Sequence, residues 1–168
     1  MNWLFYLCFM FVLYSFLGWT LEEFYCYIIR GRFKSDGFLY GPFKPMYGIA
    51  MTILIFFKNI VKVNNTTLMV LCFTVPTIIE YITGLIMKVR FGKKYWDYSK
   101  IAFNIDGLVC LRFSIYWVIL TGITVFIIQP LIDRLFFSRL NLFGRLAVIL
   151  IIYITIDFMF TEKYLYNR

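Results

Sequence analysis

Histidine is absent from the 168-residue chain. Its absence excludes His-ligated zinc, a histidine general base and the Ser-His-Asp triad together. Charge is scarce: Asp, Glu, Lys and Arg make up 15% of the residues, against about 25% in soluble domains. Cysteine occurs four times, as Cys8, Cys26, Cys72 and Cys110, each far from the next and inside an apolar run. That is not metal-ligand spacing, and buried free thiols are expected. Met1-Asn2-Trp3 carries no basic side chain, so the first apolar run is expected to be a retained helix rather than a signal peptide. A Walker-type phosphate loop is missing, so the chain has no ATPase site of its own. Neither a cofactor nor a metal is expected.

Apolar residues fill the space that charge leaves. They make up 62% of the chain, and the mean hydropathy is +0.79. A soluble domain of this size could not hide that much apolar surface, so the solvent for much of it is lipid. Aromatic residues at 22% exclude disorder. The net charge of +8 raises the question of nucleic acid. With no basic stripe and no RNA-binding motif, it reads instead as loop charge that orients a membrane protein and meets headgroup phosphates.

Five apolar segments follow one another, at about residues 3–29, 45–61, 67–87, 108–129 and 143–160. Each approaches the roughly 20 residues that a spanning helix needs. The expected fold is a single all-α membrane domain over residues 1–168, a bundle of about five transmembrane helices. Eleven Lys and Arg lie in the first loop, the third loop and the C-terminus, and five lie on the other side. This asymmetry predicts N-terminus out and C-terminus in. The overlapping Asn-x-Thr sequons of Asn64–Thr67 would then face out, although a helix N-cap is a sufficient use for them.

The two large loops on the basic side look related. Glu22 precedes Phe33, then Asp36-Gly37 and Phe43; Glu80 precedes Phe91, then Asp106-Gly107 and Phe113, at the same offsets on each side of the loop. Two spans per unit would make residues 3–61 and 67–129 a parallel repeat; chance is the competing explanation, since few positions match.

Charges on spans are costly, about 2.5–3.5 kcal/mol at the bilayer centre on insertion scales. Four spans carry them: Glu22 (with Glu23), Glu80, Arg112 and Asp157. All lie toward the basic side, and each shares a helical face with small or polar residues, as Ser15, Gly18 and Trp19 do with Glu22. Buried packing and ion-pair glue is one reading; a polar cavity with a function is the other. An ion-paired cluster of Arg112 with Glu80, Glu22 or both is expected, because arginine keeps its charge. The Gly- and Pro-rich stretch Gly37–Gly48 is apolar and aromatic, which fits a re-entrant or buried segment. Tyr95-Trp96-Asp97-Tyr98-Ser99 suits the headgroup level, where a simple interfacial anchor is the plain explanation.

Several of these stretches, in order, carry a resemblance. They are Leu17-Gly18-Trp19 with Glu22, Gly37-Phe38-Leu39-Tyr40-Gly41-Pro42-Phe43 with Pro45 and Tyr47-Gly48, Glu80-Tyr81 with Thr83-Gly84, Trp96-Asp97-Tyr98-Ser99, and Phe103-Asn104 with Gly107 and Cys110-Leu111. From about Tyr14 to Trp117 the chain resembles the bacterial CmpB-type putative ABC-transporter permease family. The resemblance implies a multi-pass protein of the inner (cytoplasmic) membrane. It supplies no catalytic residue and no substrate. A permease without its own ATPase would need a partner ATPase subunit, and a homo-oligomer is also compatible.

The expected function is therefore a transporter permease subunit with a polar intramembrane site. The alternatives are a membrane-embedded lipid-modifying enzyme, for which no motif is present, and a non-catalytic assembly or accessory protein. The candidate substrate-binding set is Glu22, Glu80, Arg112 and Asp157 on the spans, with Tyr40, Trp96, Asp97 and Asn104 from the loops. Lipid is the expected surrounding partner and nucleic acid is not a partner.

Overall fold

The computed structural model describes residues 3–33 and 38–166. Asp36-Gly37, half of the repeated signature, lies outside them. The described chain is all-α apart from one two-stranded hairpin. Its elements are α1 (Trp3–Arg30), α2 (Pro45–Ile55), α3 (Asn65–Phe91), β1 (Asn104–Ile105), β2 (Val109–Cys110), α4 (Leu111–Ile123), α5 (Gln129–Ser138) and α6 (Leu140–Tyr166). A π-helical turn extends α2 over Phe56–Val61, and another joins α4 to α5 over Thr124–Ile128. Four helical rods are long and apolar enough to cross a membrane: Trp3–Ile29, Asn65–Phe91, Leu111–Ser138 and Leu140–Leu165. The rod Pro45–Val61 is apolar but shorter. Helices are the form such runs must take in lipid, since each backbone N–H and C=O is satisfied within the segment.

Helix ends follow local chemistry. The Asn64 side chain caps α3 by accepting from the Thr67 N–H at 2.8 Å, the use its position suggests. At the other end Gly92 takes φ +62°, and the Gly92 and Lys93 N–H groups both close on the Met87 carbonyl. That left-handed stop favours glycine. Lys62 ends the π turn of α2 in the same conformation, at φ 59°.

Compact packing divides the chain into two units, residues 1–49 with 140–168, and residues 50–139. In the first, α1 packs on α6. The Phe9 and Phe143 rings lie 5.1 Å apart, and Gly144 faces Phe5. Val12, Leu39, Phe43 and Ile154 form its buried cluster. The loop residues Phe38–Lys44 therefore contribute core, with Leu39 and Phe43 buried and Tyr40 exposed. The Gly- and Pro-rich stretch is irregular only as far as Lys44. Pro45 opens α2, where its missing N–H costs nothing. Gly48 lies within α2, and the close approach to α1 demands glycine: a Cβ there would run into Ser15 Oγ and the Phe11 carbonyl.

In the second unit, α3 packs on α4; Pro76 lies within α3 and Pro130 in α5, which continues the rod of α4. Pro76 lies inside α3, so the Cys72 carbonyl, four residues earlier, loses its helical donor. The Thr121 hydroxyl of α4 lies 3.3 Å from that carbonyl and shares its one proton between it and the nearer Trp117 carbonyl of its own helix, at 2.6 Å. The span expected to stop at Gln129 instead runs on through Pro130 to Ser138. Gln129 N–H reaches back five residues to Thr124, and the helix widens by a π turn just before the proline ring. The Val125 carbonyl is then left over, because residue 130 has no N–H to offer. Lys58, on the π turn of α2, donates its ammonium to that oxygen.

Candidate functional site

The first unit holds two charged arrangements at the end of α1 nearest the basic first loop. Glu22 accepts the Lys44 ammonium at 2.5 Å and the Tyr47 hydroxyl at 3.1 Å. Lys44 closes the Gly- and Pro-rich loop and Tyr47 begins α2, so one carboxylate ties α1 to both. Tyr47 can lie flat on α1 because residue 18 is glycine; any Cβ there would overlap its ring. The second arrangement is Asp157 of α6, which is buried. It accepts two successive backbone N–H groups, Tyr40 at 3.2 Å and Gly41 at 2.8 Å. Backbone donors that an irregular loop would leave open in a membrane are thus satisfied by a carboxylate. A Cβ at Gly41 would come within 2.8 Å of the Tyr153 hydroxyl and 3.1 Å of Asp157 Oδ2. The structure therefore brings Tyr40 and Asp157 together through the Tyr40 backbone, while the Tyr40 ring is 70% exposed.

Beside these lies a cavity of about 490 Å³, walled by Trp19, Phe24, Phe33, Tyr40 and Phe43 and reached by Glu23. Glu23 is only 8% exposed. Ligand sites commonly span about 300–1,000 Å³ and combine apolar walls with few polar groups.

The second unit repeats the theme. Glu80 of α3 is buried and accepts the Tyr98 hydroxyl at 3.0 Å and the Trp117 indole N–H at 2.9 Å. Trp117 stands on α4 and Tyr98 on the preceding loop, so the carboxylate again ties a long helix to a loop and to the following helix. The loop that carries Tyr98 is folded, with Trp96 and Tyr98 half-buried and its charged residues exposed. Trp96 donates to the Leu108 carbonyl at 2.7 Å, and its ring edge lies over Gly84. Trp96 and Tyr98 thus both meet α3, at Gly84 and Glu80. Asp106 and Gly107 make the hairpin turn at φ 56° and 70°. Asn104 braces it, donating to the Ile101 carbonyl at 2.8 Å and accepting from the Gly107 N–H at 3.0 Å. Asp97 accepts from the Ser99 N–H at 2.9 Å and pairs with Lys94 at 3.3 Å. These bonds, the Ser99 backbone and hydroxyl first and Lys94 next, hold its carboxyl below the ordinary aspartate range.

Arg112 is the second residue of α4 and is exposed. Its Nε donates to the Tyr116 hydroxyl at 3.2 Å, and its guanidinium carbon stands 5.8 Å from the centre of that ring. Glu22 and Glu80 belong to different units, each with its own aromatic and loop donors. Charge cost in an apolar run singles out Glu22, Glu80 and Asp157. It leaves Lys44, Tyr47, Tyr98 and Trp117 unmarked, although Trp117 shares a helical stripe with Ser114 and Thr121 and could have been found from it. Among the described residues, no three Cys, Asp or Glu side chains gather as a metal-binding group.

Neither a curated protein nor a solved structure matches the chain. A family model does, over residues 9–162. Four long apolar rods fit the membrane character that its name carries. The chain belongs to the family described as putative ABC-transporter type IV.

Proposed function

We propose that the chain is the permease subunit of a transporter in the cytoplasmic membrane, with Pro45–Val61 as a fifth span, N-terminus out and C-terminus in. A separate ATP-hydrolysing subunit supplies the energy, since this chain carries no phosphate loop. The observation that carries the reading is the pair of glutamate clamps. Glu22 and Glu80 are each drawn into an apolar helix, and each is held by a ring on the next helix and by a group on the loop between. Ionisable groups inside a membrane are costly, and they mark substrate and ion pathways more often than other positions do.

The clamps also support the internal repeat. Phe43 and Phe113 occupy equivalent places after the two Asp-Gly signatures, and four residues beyond each stands the ring that meets its glutamate, Tyr47 or Trp117. Parallel repeats about an axis along the membrane normal are a recurring transporter plan. The second loop is the longer one, and its excess lies between Phe91 and Asp106, the stretch that holds Tyr98.

The test is reconstitution. Tagged full-length chain, purified from its own membranes, is expected to bring with it a nucleotide-hydrolysing subunit, and proteoliposomes of that complex should show ATP-dependent flux of a solute. Recovery of the chain alone after crosslinking in intact membranes, with no nucleotide hydrolysis associated, would overturn the reading.

A further inference from the structure

We infer that the hairpin between α3 and α4 is a binding site for an anionic phospholipid, whose acyl chains meet Phe103 and Ile105 and whose phosphate meets the lysines of the same loop. The hairpin turns one strand inward and the other out. Leu108, Val109 and Cys110 are buried, whereas Phe103 is 81% exposed and Ile105 61%. Phe103 is held there against its own backbone preference. Its φ of 54° lies in the left-handed region, which a bulky side chain rarely adopts. The Leu111 N–H fixes it by donating to the Phe103 carbonyl at 3.1 Å, and Asn104 braces the turn that follows. Strain of this kind persists where the surrounding fold imposes it, and here it sets a large ring outward.

Depth decides what covers that ring. The loop lies alongside the last turns of α3 rather than beyond its end. Leu108 and Trp96 close over Gly84, Tyr98 reaches Glu80, and the Tyr81 hydroxyl donates to Asp106 at 2.8 Å. Gly84 lies seven residues before Phe91, where α3 ends, and Tyr81 lies ten, which is roughly 10 to 15 Å back along the helix. Phe103 and Ile105 are thus set at the level of the glycerol groups and upper acyl chains, where their neighbour is lipid and not a water-borne protein. Charge selects the lipid. Residues 88–106 hold five Lys and Arg against two acids. Both acids are engaged, Asp106 by Tyr81 and Asp97 by Lys94 and the Ser99 N–H. Lys88, Lys93 and Lys100 are exposed at the headgroup end of the same unit. A zwitterionic headgroup would bring its own cation against these lysines, whereas a headgroup of net negative charge would not.

This assignment rests on α3 crossing the bilayer and is independent of transport. Full-length Phe103→Trp protein is reconstituted into vesicles of phosphatidylcholine and phosphatidylglycerol, with bromine in the acyl chains of one lipid at a time. Emission is read as the difference from the parent protein, which isolates the added tryptophan. Bromine is expected to quench it, and aqueous iodide is not. At equal small fractions, brominated phosphatidylglycerol should quench well above its bulk share, and brominated phosphatidylcholine should not. Each lysine near an anionic surface is worth about fivefold in binding, so Lys93→Gln with Lys100→Gln should lower the preference for phosphatidylglycerol roughly twenty-fivefold. Quenching in fully brominated bilayers should persist in that variant. Inorganic phosphate should leave all of this unchanged, because the chains hold the lipid together with its headgroup. Ile105→Trp carries the same measurements if Phe103→Trp does not assemble. Quenching by iodide alone would put the hairpin in water, and quenching by neither agent would put a protein partner over it. Equal quenching by the two brominated lipids, or a preference that survives in the lysine variant, would leave an apolar anchor with no anionic-lipid site. Displacement by inorganic phosphate would assign the lysines to a soluble anion. Each of these outcomes overturns the assignment.

Discussion

The buried carboxylates are held by protein donors, and removing one of them has a readable energy. Glu80 is the acceptor for two half-buried donors, Tyr98 and Trp117. Glu80→Leu leaves both unsatisfied, so it should destabilise the protein by on the order of 2–4 kcal/mol. Trp117→Phe removes one bond and should cost about 1 kcal/mol. Thermal unfolding in detergent checks the order; a Glu80→Leu protein as stable as Trp117→Phe would show that the carboxylate is not the organising group. Asp97 gives a pH signature outside the spans. Its folded carboxyl titrates below the unfolded one, so its contribution is complete above the unfolded pKa of about 3.9 and is lost as pH falls through the folded value. Hydrogen exchange at Tyr98–Lys100 should stay constant from neutral pH down to about 5, after correction for the intrinsic rate, and should rise only on stronger acidification. Asp97→Asn keeps an acceptor for Ser99 and should abolish that rise; a variant with the same acid sensitivity would assign it to another group. The charged residues at this scale are legible in sequence, because a carboxylate in an apolar run is conspicuous. Their donors are not: Tyr98 lies 18 residues from Glu80 and Trp117 lies 37, and no local periodicity links them.

At the scale of elements, the apolar runs mark the rods well and their ends poorly. Proline is the reason. Read locally, Pro130 ends a helix, yet the chain continues to Ser138 because a π turn and a borrowed ammonium repair the backbone. The hairpin Asn104–Cys110 was hidden for a related reason. Its two-residue strands are too short for an alternating pattern, and its turn needs positive φ at Asp106, which sequence only hints at through Asp-Gly. The repair at Pro130 makes a prediction. Lys58→Met strands the Val125 carbonyl and also deprives Asp133 of a nearby charge. Pro130→Ala restores an N–H and with it a helical partner for a carbonyl in the turn. Lys58→Met should therefore cost about 1 kcal/mol more in the parent than in the Pro130→Ala background, a coupling within the range for residues sharing one network. The four proteins of this double-mutant cycle are compared by thermal unfolding. Strict additivity would mean that Lys58 serves Asp133 alone.

For the whole molecule, the number of rods and the distribution of charge bear together on the proposed orientation. Four rods are long enough to span, and a fifth, Pro45–Val61, is shorter by about ten residues. Its 17 residues reach roughly 25 Å at 1.5 Å each, just under the roughly 30 Å of a hydrocarbon core. Lys58 falls near one end and is tied to protein rather than extended into lipid. If this rod spans, the termini lie on opposite sides, and the loop of Trp96 and Asp97 shares a side with the C-terminus. If it does not, the loop before α3 returns to the side it left, and every later segment inverts. Charge favours the first arrangement: with five spans, eleven Lys and Arg gather on one side against five on the other. The two arrangements differ at exposed positions. In a chain with its four cysteines replaced by alanine, Asn65→Cys should react with a membrane-impermeant thiol reagent in intact cells, and Lys100→Cys should react only after permeabilisation. Both residues are exposed and both lie beyond the apolar core of α3, at its opposite ends, so labelling of the two must differ in either case. Reaction of Lys100→Cys in intact cells, with Asn65→Cys silent, would invert α3. Split reporters fused to each terminus then decide Pro45–Val61 independently. Signals from opposite sides require an odd number of crossings, whereas signals from one side would reduce that rod to a helix that enters the membrane without crossing it.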